Sequence, residues 1–151
     1  MKFLIRKYLS KADLKTISEK IADTESKTSG EIRVVLRHRR SWRERKLSLD
    51  EIALAEFTRL GMQRTKDRTG VLVLLLMSER KFHIIADEGI HTKVESGTWD
   101  RIAVEMSSQF KEGKFAQGIS AGVEAVGREL SAFFPRKLDD HDELSNEVVE
   151  Q

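Results

Sequence analysis

No cysteine occurs among the 151 residues, which excludes disulfides, a thiolate metal site and a cysteine nucleophile. Proline occurs once, at Pro135, so no earlier helix or strand is broken by that route. Long hydrophobic runs are missing too. The longest, Val71 to Met77, falls far short of the ~20 residues that span a bilayer. The N-terminus returns to charge after Phe3, Leu4 and Ile5, so no apolar region of a secretory leader forms. The expectation is a cytoplasmic chain with no membrane span.

What is present suits a globular protein. Apolar residues make up 39% and charged residues 34%, and a chain this long buries about 70% of its unfolded surface. The net charge of +2 conceals an asymmetry: residues 1–46 hold 14 Lys/Arg against 6 Asp/Glu, residues 47–151 hold 13 against 19. Such polarity points to self-docking, an acidic partner or a phosphate-rich surface.

Periodicity gives the elements. Ser10 predicts a helix N-cap with Asp13 returning a bond, and Leu14, Ile17 and Ile21 form one stripe. That helix ends near Ser26, and Gly30 is expected to take positive φ. From Glu31 the period becomes two, with Ile32, Val34 and Leu36 opposite Arg33, Val35 and Arg37: a strand. Ser48 to Glu51 reads as a capping box opening a helix, with Ile52, Ala55 and Leu60 inward, helped by Leu54 and Phe57. Gly61 marks its exit. Gly70 to Met77 shows no polar alternation, the mark of a strand covered on both faces. Lys81 to Ala86 alternates as its hairpin partner. Helices follow over 98–111, with Trp99, Ile102, Met106 and Phe110 inward, and from Phe115, with Phe115, Ile119, Val126, Leu130 and Phe133 as its apolar stripe, stopped by Pro135.

The order α, β, α, β, β, α, α predicts a three-layer α/β/α sandwich. Its small mixed sheet combines a βαβ crossover with a hairpin and has helices on both faces. A fourth strand has no assigned place. The domain is expected over 1–135, followed by an acidic tail over 136–151 with six acids and two bases.

Three constellations carry chemistry. The loop after the first strand, Arg37 to Lys46, holds six bases and one acid, with Trp42 interleaved. It is either a solvated loop kept extended by repulsion or a contact surface in which Arg39, Arg40, Trp42 and Arg43 meet an anionic partner. A variant pairs it with the acidic tail, within one chain or between two. Gly118-Ile-Ser-Ala-Gly122, followed by Asp140 and His141, matches a hydrolase elbow, but it lies inside a helical period with no preceding strand. Two glycines at i, i+4 read better as a close-packing face.

The third set is acidic. Asp67 precedes the central strand, Asp87, Glu88 and His91 follow the hairpin, and Asp100 opens the next helix. Antiparallel pairing makes the first two loops neighbours. Converging carboxylates would bind calcium or magnesium through oxygen, and His91 would join a softer metal or act as acid or base. The alternative is structural: Asp67 shapes a turn, Asp100 favours a helix N-terminus, and His91 bonds the backbone.

Thr28-Ser-Gly-Glu-Ile-Arg-Val34, Arg68-Thr-Gly-Val-Leu72, Asp87-Glu-Gly-Ile-His91, Trp99-Asp100 and Phe110-Lys-Glu-Gly-Lys-Phe-Ala-Gln-Gly118 occur in that order. Over about residues 10–135 the ordered set resembles the TPM domain, the family of thylakoid-lumen phosphatase-like and photosystem II repair proteins. Asp142 to Val148 resembles the ending of a short bacterial branch. The resemblance implies an α/β/α sandwich, divalent-cation binding at Asp67, Asp87 and Glu88 with Asp100 as a weaker addition, and a phosphatase label attached to some plant members. In that reading metal-bound carboxylates position a phosphate ester and His91 protonates the leaving oxygen. Thr69 departs from the Asn that many relatives carry, and the leader and C-terminal membrane helix of many relatives have no counterpart here. Beside the cation-dependent reading stands a module without catalysis that assists assembly or turnover of a protein complex. Nucleic acid through Trp42 and its arginines is the weakest of the three, and the oligomeric state is left open.

Overall fold

The computed structural model describes residues 2–136 and 148–151. Most of the acidic tail, with Asp140 and His141, lies outside the described residues. The elements run α1 (Lys2–Ile5), α2 (Lys11–Glu25), β1 (Glu31–Arg37), α3 (Leu49–Arg59), β2 (Gly70–Leu76), β3 (Lys81–Ala86), α4 (Glu88–His91), α5 (Thr98–Lys111), α6 (Phe115–Phe133) and β4 (Val149–Glu150).

The sheet order is β3-β2-β1-β4. β1 and β2 pair in parallel with Glu31 opposite Gly70, and β2 and β3 pair antiparallel with Val71 opposite Ala86. The fourth strand that the sequence left unplaced is the end of the chain. It lies parallel to β1, with Val35 opposite Val149 and Leu36 opposite Glu150.

Alternation sets the layers. Ile32, Val34 and Leu36 of β1 and Val71, Val73 and Leu75 of β2 face a core shared with Leu14, Ile17 and Ile21 of α2 and the inner faces of α5 and α6. Val35, Leu72, Leu74 and Leu76 face Ile52, Ala53 and Phe57 of α3. All seven β2 residues are buried, as an unbroken apolar run between two helical layers requires. Each such side chain contributes about 1.5–3 kcal/mol by leaving water.

Local signals act as their chemistry dictates. Ser10 and Asp13 form the reciprocal capping box, at 3.0 and 2.9 Å. Ser48 accepts from the Glu51 amide at 3.1 Å. Gly61 takes φ 70 at the exit of α3. Gly118 packs so close to α5 that a Cβ there would lie 2.5 Å from Phe110 Cε1, and one at Gly122 would meet the Met106 sulfur. The glycine pair is therefore a helix-packing face in the middle of α6.

Three expectations need correction, and one buried pair had none. Gly30 is not in the positive-φ region. Its lack of a Cβ matters because Leu130 Cδ2 would lie 2.6 Å away. The buried face of α3 is Ile52, Ala53, Glu56 and Phe57, with Ala55 and Leu54 in solvent. A carboxylate takes the place of an apolar group because Arg37 and Arg59 reach it, at 3.8 and 2.6 Å. Phe133 is 42% exposed, past the end of the inward stripe. Ile5 and Leu9, which carried no assignment, are fully buried.

Candidate functional site

The acidic set divides. Asp87 follows β3 and caps α4: Oδ1 accepts from the Glu88 amide at 2.8 Å. Arg68 Nε donates to Oδ2 at 2.7 Å and Nη2 to Oδ1 at 2.8 Å, a fork that matches the carboxylate plane. This contact holds the Arg68 guanidinium charged even more firmly than usual. Arg68 sits at φ 56, an unusual backbone for a residue with a Cβ. Gly89 makes room for it, since a Cβ there would strike the Asp67 carbonyl oxygen.

Asp67 is exposed in the turn, and Glu88 reaches Arg68 Nη1 only at 3.9 Å. His91 and Asp100 lie apart from the fork, lining a shallow cavity of about 360 Å³ with Trp99. Among the described residues no group of three or more His, Asp and Glu side chains converges as an ion's ligand set. The donor set at Asp87 does not fit a divalent cation: both oxygens are engaged, and a guanidinium stands 2.7 Å from one of them.

The basic loop builds a different site. Arg37, at the end of β1, chelates Glu44, Nη1 to Oε2 at 2.8 Å and Nη2 to Oε1 at 2.5 Å. The same contact holds the Glu44 carboxyl down to about 2. Glu44 Oε1 also accepts from the Ser41 amide at 2.8 Å, fixing a 3₁₀ turn over Trp42–Glu44. Arg40 binds Glu79 at 2.7 Å and donates to the Leu47 carbonyl. The loop is thus braced, where repulsion among its charges had predicted an extended chain.

That bracing sorts the cations. Arg37 and Arg40 are half-buried and paired. Arg39, Arg43, Arg45 and Lys46 are exposed and carry no ion pair among the described residues. Trp42 is 74% exposed, with Arg45 Cζ over its ring at 4.5 Å from the centroid. Arg37, Arg39, Arg40, Ser41, Trp42, Arg45 and Gln151 line a cavity of about 740 Å³.

Its place follows from the topology. The chain leaves β1 for β2 on one side, while β4 lies on the other. In an open α/β sheet the crevice beyond the carboxyl end of such a strand is where ligands bind. Arg39, Arg40 and Trp42, read from the sequence as contact candidates, line this cavity. The cavity adds Arg45 and Gln151 and leaves Arg43 on the outer surface. Gln151 had no sequence signal, because its position depends on β4.

No match occurs among curated proteins. Among solved structures the chain is similar to the BA42 protein of the psychrophilic bacterium Bizionia argentinensis, determined by NMR. The two are 36% identical over 95% of this chain and 96% of that one, with a TM-score of 0.86. The N-terminal domain of a P. gingivalis protein matches at 22% identity over 90% of this chain and 83% of that one, TM-score 0.69. A Corynebacterium glutamicum N-terminal domain matches at 17% identity over 89% and 83%, TM-score 0.62; both share the fold. The model of the TPM domain matches residues 6–129, most of the chain. On this match, and on the ordered motifs from Thr28 to Gly118, the chain belongs to the TPM domain family.

Proposed function

We propose that this TPM domain acts by binding, as a module that docks an acidic segment of a partner protein in the cavity beyond β1. One observation carries the reading: among the described residues Arg39 and Arg45 have no ion-pair partner beside the exposed Trp42, in a cavity whose other two arginines are already neutralised. Unpaired guanidiniums around an apolar ring suit carboxylates interspersed with apolar side chains. The bracing ion pairs hold the surface in shape before a partner arrives, which lowers the ordering cost of association.

Cation binding and a cation-dependent phosphatase have less support. Arg68 occupies the carboxylate on which that reading depends most, and His91 stands with Asp100 at another cavity.

The test is a titration of ¹⁵N-labelled protein with an octapeptide of alternating Glu and Leu at low salt. The expected result is amide shifts over Arg39–Lys46 that fade as salt rises and vanish in Arg39→Glu/Arg45→Glu. Unchanged loop amides at saturating peptide contradict the reading. So does single-stranded DNA that binds this loop while the peptide does not, since the partner is then a nucleic acid.

A further inference from the structure

We propose that the edge of β1 is a strand-addition site for a partner segment reading apolar, apolar, acidic, acidic, and that β4 keeps this place from within the chain. The proposal rests on the cavity reading above and says how the partner enters it.

The first observation is how little of the edge β4 covers. It pairs with two of the seven residues of β1. Among the described residues its ties beyond that pairing are the Gln151 amide donating to the Leu36 carbonyl at 2.9 Å, an Arg6–Glu150 contact at 3.4 Å, and Gln151 Nε2 donating to Glu56 at 3.0 Å. A two-residue ladder with two valines only partly buried and partly exposed polar contacts is a weak competitor for its own site.

The second observation is direction. β4 runs parallel to β1, so a chain in its register heads for the carboxyl end of β1. Gln151 already lines the cavity with Arg39 and Arg45. Any segment in that register delivers its next residues to those guanidiniums.

Side-chain placement supplies the pattern. Val148 packs on the core beneath α2, α5 and α6, Val149 on the core beneath α3, and Glu150 reaches Arg6. Two successive apolar residues are wanted because the edge is covered on both faces. An acid follows for Arg6, and further acids for the cavity. The amino half of the edge is closed, since the Ile32 amide donates to Glu25 Oε2 at 2.8 Å and Thr28 bridges Pro135. Pairing is therefore confined to the stretch that β4 now holds, the main-chain mode of strand addition in which alternate pockets give specificity.

The experiment compares the full chain with Gln151→Pro, which removes both the amide donated to Leu36 and the side-chain bond to Glu56. The probe is the peptide Asn-Glu-Val-Val-Glu-Asp-Glu-Asp, with a control in which both valines are serine. The probe is expected to shift the amides of Val34–Arg37 as well as the loop, and to bind Gln151→Pro roughly fivefold tighter or more because its competitor is gone. The serine peptide should shift the loop alone. If both peptides shift only the loop, with equal affinity for both proteins, strand addition is wrong and the cavity reading stands. If neither shifts anything at low salt, both readings fail. A dimer of Gln151→Pro formed without peptide makes a second copy the occupant and overturns the assignment to a partner of this sequence.

Discussion

The Arg37 guanidinium faces both oxygens of the Glu44 carboxylate, at 2.8 and 2.5 Å. The pair joins the end of β1 to the turn that carries Trp42. It also neutralises one cation of the cavity, where Arg39 and Arg45 have no ion-pair partner among the described residues. With Glu44 held at about 2 instead of 4.5, the pair's contribution is complete above about pH 4.5 and is lost as pH falls toward 2.

Acid should therefore loosen this loop late. The amides of Ser41–Arg45 are expected to keep their native shifts down to about pH 3 and to move below it. Glu44→Gln should cost on the order of 1–2 kcal/mol after solvent screening, by urea unfolding, and abolish that late transition. A loop transition centred near the ordinary carboxylate value in the unsubstituted chain would refute the role given to Arg37.

Asp87 has two structural tasks, the cap of α4 and the anchor of Arg68. Asp87→Ala should lose about 1 kcal/mol from the cap alone, or about 2–4 °C in Tm for a chain of this size. Arg68→Ala has a different signature. It frees Oδ2 and leaves Oδ1 with the Glu88 amide alone, so millimolar calcium should shift the amides of Asp87 and Glu88 more strongly than in the unsubstituted chain. Equal shifts in the two proteins would mean that the fork does not guard the carboxylate.

The α5–α6 contact separates two glycines by the stiffness of what they face. Gly118→Ala pushes a methyl into the buried Phe110 ring, and a loss of about 1–3 kcal/mol is expected. Gly122→Ala meets the flexible Met106 thioether and should cost less. Thermal unfolding of both variants checks the order, and a larger loss at Gly122 would contradict the packing account.

Much of the fold was legible because periodicity records which side of an element faces water. The unbroken run at Val71–Leu76 identified the central strand, and the spacing of Ile32, Val34 and Leu36 identified its neighbour and its inner face. The failures share a cause. Glu56 is inside only because Arg37 and Arg59 come to it from other turns and strands, and the local apolar pattern around Ala55 pointed elsewhere. β4 has two residues, too few to show a period, and its pairing with Val35 and Leu36 is a long-range event. The acidic set was legible as residues but not as geometry. The fork from Arg68 depends on a left-handed backbone at that arginine, which no residue type announces. The basic loop was legible as charge, yet which arginines are braced depended on Glu44 and Glu79.

The central claim is that the cavity beside Trp42 receives acidic protein segments through Arg39 and Arg45. The most direct measurement is the salt dependence of acidic-peptide affinity, read from the loop amides in the unsubstituted chain and in Arg39→Glu/Arg45→Glu. The account predicts micromolar-to-millimolar binding that weakens steadily with salt and falls at least tenfold in the double variant, on the order of 1.4 kcal/mol or more. Affinity that is indifferent to salt and unchanged by reversing both charges would contradict it.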